Sequence, residues 1–397
     1  MDHGLALERL AQVAGRDSRE LDRICESVAE ALVADGEEPS FLVTSADFVG
    51  DPVLICADRY WRLRLLAQPT VLEAAACGSW LDAHVAAEHQ RVIAGKWALG
   101  YGFITRDSVE SAVELAESAT VLRATADSGA AARFATWYHA GKLRADLHFD
   151  ELRRFLETSP LTAQPLREEP LFNALLAFAA LGSRSTTAEY AIELLDAAWS
   201  SPQNTREVVD VCLNALAVAR PFARQGELLC SRAEEAVRQF PTDHLFHARL
   251  AAGQRLAERF DEALTSIDTA LQRLPATGNR GSHSLLQEQY LQERRTILDG
   301  RERAAWTTRQ QHLWDQQEAA NQEVRHTLDG ATVRAVELVA VFTAAIAFAV
   351  GSLQVALSGN LGLADRIWLL VALGGGLLLF ALTVVGGTWY LTRDRRR

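Results

Sequence analysis

The sequence predicts an all-α chain: a helical body built as a solenoid of stacked helical hairpins, a long connecting helix, and two transmembrane helices at the carboxyl end. Three observations carry this. Apolar residues recur three and four apart through the first 330 residues, as in Leu7, Leu10, Val13 and again Leu21, Ile24, Val28, Leu32, the spacing of one helical face. Strand-like alternation is nearly missing, with Phe41–Val43 and Pro52–Cys56 as the short exceptions. Two long runs without charge close the chain. At 397 residues, 49% hydrophobic and 23% charged, the chain can bury a core, which excludes wholesale disorder and collagen-like fibre.

Residues 1–158 read as a helical domain without an assignable motif. Proline and small polar residues punctuate the body, and the cluster Pro160, Pro165, Pro170 is the best candidate for a boundary inside it. Residues 171–283 follow as helical repeats. Their clearest internal signal lies in 244–277, where ERFDEALTSIDTALQRLP has the pattern of a second repeat helix. Counted from His244, Leu250 and Ala251 take places seven and eight, Ala263 place twenty, Ala270 place twenty-seven and Pro275 place thirty-two. An alanine at a helix crossing lets two backbones approach, Ile267 fills the groove beside it, and the proline ends the helix. Pro241 lies 34 residues before Pro275, and one step back Leu216, Ala217 and Ala236 occupy matching places, with Leu229 where a small residue is expected. Tyr190–Pro202 reads as an earlier second helix with a slipped register.

This pattern resembles the tetratricopeptide repeat, strongly over about 70 residues and loosely over about 170. The resemblance implies a right-handed superhelix of helix pairs whose concave face binds a peptide or protein. His247 and Gln254 stand at places four and eleven, where they depart from the family pattern, so no ligand-contacting residue is carried over.

Residues 284–329 hold one glycine, Gly300, and no proline, and a stalk helix over 284–330 of roughly 65–70 Å is predicted. Leu286, Tyr290, Ile297, Leu313, Ala320 and Val324 form a partial seam, though Glu, Gln and Arg fill many core-like places. A solvated helix docked on the body is expected, with a self-associating coiled coil as the alternative. A transmembrane hairpin is expected over 335–391: LVAVFTAAIAFAVGSLQVAL matches a hydrocarbon core of roughly 30 Å, and a second uncharged run extends from Ile367 to Leu391. Small residues recur four apart at Ala347/Gly351 and Ala372/Gly376, the spacing that lets helices pack closely in lipid. Trp368, Trp389 and Tyr390 sit where amphipathic rings prefer the interface. The basic tail 392–397 carries Arg393, Arg395, Arg396 and Arg397, and the positive-inside rule then places both termini in the cytoplasm of a cell inner (plasma) membrane.

Charge and composition narrow the function. With +3 on residues 392–397 and −1 on residues 335–391, the whole-chain charge of −11 leaves −13 on the remainder, which disfavours nucleic acid as a partner. The opening MDHGLALERL lacks a secretory pattern, and Cys25, Cys56, Cys77, Cys212 and Cys230 are scattered among apolar neighbours as buried thiols of a reducing compartment. Two of the 40 basic residues, Lys96 and Lys142, are lysines, which suggests GC-rich coding and a bacterial source.

Chemistry-bearing motifs are sparse. No phosphate loop is present, Gly100 and Gly102 open a G-x-G that meets Thr105 where a third glycine belongs, and no serine lies in G-x-S-x-G. Asp82, His84, Glu88 and His89 come one residue off the inverted zinc motif, and His139, Asp146, His148 and Asp150 form a second loose cluster that reads as a solvated face. Trp61, Trp80, Trp97 and Trp137 read as core. The expectation is a non-enzymatic protein without cofactor or metal, which binds and recruits a protein partner at the lipid bilayer, with homo-oligomerisation through the spans or stalk as a further option. The terminal runs also resemble the paired spans of bacterial conflict and antiphage effectors, which implies a second reading in which sensing oligomerises the spans and perturbs the membrane. An unrecognised enzyme in residues 1–158 is the third.

Overall fold

The computed structural model describes residues 3–15, 18–124, 128–162, 164–275, 280–357 and 362–394. The described residues are all-α, and they form two compact units, Met1–Arg303 and Ala304–Arg397.

In the first unit the helices are α1 (His3–Ala11), α2 (Ser18–Asp35), α3 (Pro52–Ala67), α4 (Val71–His84), α5 (Ala87–Ile104), α6 (Ala112–Ala124), α7 (Ser128–Ala145) and α8 (Phe149–Thr158). There follow α9 (Gln164–Arg167), α10 (Pro170–Gly182), α11 (Ala188–Trp199), α12 (Arg206–Val218), α13 (Gln225–Gln239), α14 (His244–Leu256) and α15 (Phe260–Arg273). Local chemistry sets their starts. Asp51 accepts from the amides of Val53 and Leu54 with Pro52 in the first turn, and Thr70, Thr187, Thr205 and Asp243 cap α4, α11, α12 and α14 in the same way. Of the two strand-like stretches, Pro52–Cys56 lies in α3, and Val43 makes one isolated bridge with Val85.

α4 and α5 both pack on α7, giving α2–α8 a core of large rings. Trp61, Trp80, Trp97, Tyr101 and Phe134 follow one another at centroid separations of 6.1, 6.2, 5.9 and 6.5 Å. Trp137 is buried too, so all four tryptophans in question belong to the core. The proline cluster does not divide this core. Leu161 and Leu166 are buried in the same apolar cluster that runs from Ala6 to Phe246, so residues 159–170 do not separate compact units as the composition predicted.

From α10 onward the helices come in pairs. α10, α12 and α14 begin at residues 170, 206 and 244, and α11, α13 and α15 at 188, 225 and 260, so each set advances by 35–38 residues. α10 packs on both α11 and α12, and α14 on both α13 and α15. The next helix, α16 (Arg280–Leu357), begins 36 residues after α14 and runs without a break into the first apolar run. Its early residues Tyr290 and Ile297 are buried with Ala251, Ala263, Ile267 and Ala270. They therefore serve the core of α14 and α15 rather than a seam shared with Leu313, which is exposed. The last helix is α17 (Leu363–Asp394).

Candidate functional site: the paired helices and the apolar helices

The residues singled out for repeat packing fall into two groups. Leu216, Ala236, Ala251, Ala263, Ile267 and Ala270 are fully buried, and Ala217 and Leu250 are half-buried against the core. Pro241 and Pro275 are exposed just beyond the ends of α13 and α15, where a residue without an amide hydrogen ends a helix at no cost. His247 donates to the carbonyl of Pro241 at 3.2 Å, and Gln254 accepts from the Ser266 hydroxyl at 2.7 Å. The two departures from the repeat pattern are thus buried polar contacts that tie α14 to its neighbours. Gly226 and Gly253 were not picked out by spacing. A Cβ at Gly226 would stand 2.6 Å from the amide nitrogen of Ala257, and one at Gly253 would stand 2.8 Å from that of Cys230. Glycine lets α13 and α14 touch backbone to backbone, a role normally given to alanine.

A polar network crosses the first helices of the pairs. Arg206 donates to Asp243 at 2.7 Å and lies over the Phe246 ring. Asp210, one turn on along α12, accepts from Arg144 of α7 and from Arg249 of α14, both at 3.2 Å. Burial would raise the Asp210 carboxyl, but the Arg249 and Arg144 guanidiniums outweigh it and hold the group below the ordinary carboxylate range. His244 shares a 2.7 Å hydrogen bond with the Tyr290 hydroxyl, and Arg255 and Arg294 pair with Glu293 and Asp268 at 2.6 and 2.8 Å. Neighbouring Glu207 is 4% exposed, its Oε2 has no protein hydrogen-bond partner, and burial pushes its carboxyl up. The face therefore offers fixed guanidinium donors and one buried carboxyl with spare hydrogen-bonding capacity, which suits polar recognition more than bond-breaking.

The loose polar clusters disperse. His84 donates to the Trp80 carbonyl at 3.1 Å and stacks on that ring, while His89 donates to the Thr44 carbonyl at 3.1 Å. Asp146 pairs with Arg106, Asp150 accepts from Ser183, and His148 meets Glu151. His139 and Lys142 turn inward. Both bond Glu110, at 3.2 and 3.0 Å, and Lys142, fully buried, also donates to the carbonyls of Pro69 and Ser108. Burial lowers the Lys142 ammonium. Burial alone would raise Glu110, yet its bonds to His139 and Lys142 hold it below the ordinary range. His139 and Glu110 also line a cavity of about 340 Å³ beside α6 and α8. Among the described residues no group of three or more His, Cys, Asp or Glu is placed to hold a metal ion. All five cysteines are buried and unbridged, and burial pushes the Cys25 thiol up to about 12, the wrong direction for a nucleophile.

In the second unit, Ala335–Val355 and Leu363–Thr383 are each 21 residues, with mean hydropathy 2.1 and 1.9, long and apolar enough to cross a membrane. Thr343 and Ser352 donate to the carbonyls of Val339 and Ala349, so these hydroxyls are satisfied by their own helix. Gly351 sits at the crossing of α16 and α17, where a Cβ would stand 2.9 Å from Leu373, and Gly374 faces Phe348. Ala347, Ala372 and Gly376 are exposed, and a Cβ on Gly376 would meet nothing within 4 Å. Spacing offered Ala347/Gly351 and Ala372/Gly376, but Gly351 meets Leu373 and Gly374 meets Phe348, and neither Ala372 nor Gly376 is part of the contact. The side chain of Arg393, and Arg395, Arg396 and Arg397 altogether, lie outside the described residues.

No protein family matches the chain, and comparisons with curated proteins and with solved structures found no match.

Proposed function

We propose that the protein is a membrane-anchored scaffold: a helical-repeat body of tetratricopeptide character, facing the cytoplasm, that binds a protein partner and holds it at the inner membrane without catalysing a reaction. The observation that carries this reading is the pairing of two exposed apolar helices of 21 residues each with a body whose paired helices repeat every 35–38 residues. Three consecutive helix pairs meet the minimum of about three units that a stacked array needs to bury its faces. The Arg206, Asp210, Arg249 network supplies a polar surface on the first helices of the pairs, and confinement to a layer raises the partner's effective concentration.

The test has two steps. Carbonate washing of membranes is expected to leave the full chain in the pellet, and detergent solubilisation followed by affinity capture is expected to recover one stoichiometric partner. Recovery of the intact chain in the aqueous fraction without detergent overturns the anchor. Leakage of dye from liposomes carrying the purified chain favours instead the effector reading, in which the spans themselves perturb the bilayer.

A further inference from the structure

Residues 304–334 of α16 carry a stripe of exposed apolar side chains. Trp306 is 60% exposed, Leu313 52% and Val324 56%. They belong to a sequence with steps of four and three: Trp306, Gln310, Leu313, Gln317, Ala320, Val324, Thr327, Ala331. At 100° per residue the named positions spread over about 100°, but at the 3.5 residues per turn of a supercoiled helix their steps of four and three fall on two lines about 50° apart, the width of a two-helix seam. The opposite side carries Asp315, Glu318 and Gln322.

We infer that this stripe is the seam of a parallel, in-register dimer formed by two copies of the chain over residues 306–331. Three features select a second copy. The first is self-complementarity. Gln310 and Gln317 fill alternate seam positions, and a glutamine amide, with both donors and acceptor, satisfies its own counterpart across a twofold axis, whereas an apolar partner would leave it unpaired. The second is complementarity along the flanks. In a parallel dimer each residue three after Trp306, Leu313 or Ala320 faces the position five further on in the other copy. Arg309 then meets Trp314 of the second copy, a cation over an indole that is 66% exposed here, Gln316 meets Asn321, and Glu323 meets Leu328. None of these pairs sets like charges against each other. The third is orientation. α16 continues as one helix through Ala335–Val355, so two copies in one bilayer are held parallel and level, which this inference takes from the anchored reading above.

Single-thiol cross-linking of the full chain in native membranes tests it. The five natural cysteines are buried, so an added surface thiol reports alone. Under a mild oxidant, Leu313→Cys is expected to give a disulfide-linked species of twice the chain mass, because facing seam positions lie within disulfide reach. Asp315→Cys, on the opposite side, is expected to stay monomeric. Adding Gln310→Lys and Gln317→Lys to Leu313→Cys sets like charges across the seam and is expected to cut the cross-linked fraction at least tenfold. All of these side chains lie on the surface of α16, and unchanged helical content by circular dichroism verifies folding. No dimer from Leu313→Cys, equal dimer from Asp315→Cys, or a link to a different polypeptide each overturns the inference. Carbonate extraction of the same samples reports on the anchor independently. A chain released by carbonate refutes the anchored reading, and the cross-link pattern still decides the seam.

Discussion

The two parts of the first unit share close glycine crossings and differ in what else fills the space between their helices. α2–α8 enclose large rings, with Trp61, Trp80, Trp97 and Trp137 each no more than 3% exposed, beside backbone crossings at Gly78 and Gly102 and a bond from the fully buried Lys142 to the largely buried Glu110. α13–α15 are drawn together by what is missing: Ala251, Ala263 and Ala270, and Gly226 and Gly253, bring backbones into contact. The difference teaches that the ring-filled region is exposed to loss of volume as well as to gain, whereas α13–α15, built around small residues, are exposed chiefly to gain.

The largest effects are expected in the ring-filled region. Lys142→Met leaves Glu110 buried beside His139 without its cation, and removing one partner of a buried pair costs about 3–5 kcal/mol. Trp61→Ala, with an equal expected loss of about 3–5 kcal/mol, leaves a cavity between α3 and α4. Both are read as a lowered denaturation midpoint with tryptophan fluorescence as the signal. A loss below about 1 kcal/mol from Lys142→Met would mean that the ammonium is dispensable and the comparison is wrongly drawn.

Next comes the Arg–Asp network. Asp210→Asn weakens charge-assisted hydrogen bonds to Arg144 and Arg249 and should cost about 1.5–3 kcal/mol. It also carries a pH signature. The folded Asp210 and Glu110 carboxyls titrate lower than in the unfolded chain, so the unfolded chain takes up their protons first. Their contribution is intact above the ordinary carboxylate range near about pH 4 and is lost as the pH falls through the lower folded values. Glu207, raised by burial, pulls the other way. The check is therefore a difference: the gap in stability between the parent chain and Asp210→Asn should shrink on acidification below about pH 4.

Smaller still is the effect that separates the two regions most cleanly. Ala263→Leu adds volume at a crossing that admits none and is expected to cost about 1–3 kcal/mol by denaturant unfolding. The same class of substitution at a half-buried position of the ring-filled region, Ala76→Leu, should cost less. Equal losses would remove the contrast.

How much of this was legible depended on whether a feature is local. The helical period, the terminating Pro241 and Pro275, the small residues from Ala251 to Ala270 and the uncharged runs all announce themselves within a few turns of chain. Phe246, fully buried, was not legible, since it falls outside the counted pattern while its buried neighbour His247 stands at place four. Nor was Lys142, whose acceptors Pro69, Ser108 and Glu110 lie 32 to 73 residues away. Tyr290 and Ile297 fitted a seam and a repeat core equally well by spacing, and only the packing of α16 on α14 and α15 separates the two. In the candidate site, Asp210 with Arg144 and Arg249 joins residues 39 and 66 positions apart, which no motif encodes.

The last prediction concerns the turn that joins α14 to α15, and it reverses the sign of the others. Glu258, between α14 and α15, is exposed and has φ +59°, a left-handed conformation that costs a residue with a Cβ about 1–2 kcal/mol. Its amide donates to the Arg255 carbonyl at 3.0 Å, so the turn is held by backbone and not by the carboxylate. Glycine removes the steric cost but adds about 0.5–1 kcal/mol of unfolded-state entropy. Glu258→Gly should therefore stabilise the chain, by about 0.5–1 kcal/mol, measured as a raised denaturation midpoint. A lowered midpoint would show that the Glu258 side chain contributes to the turn, and that small residues stabilise this region at its crossings but not at its corners.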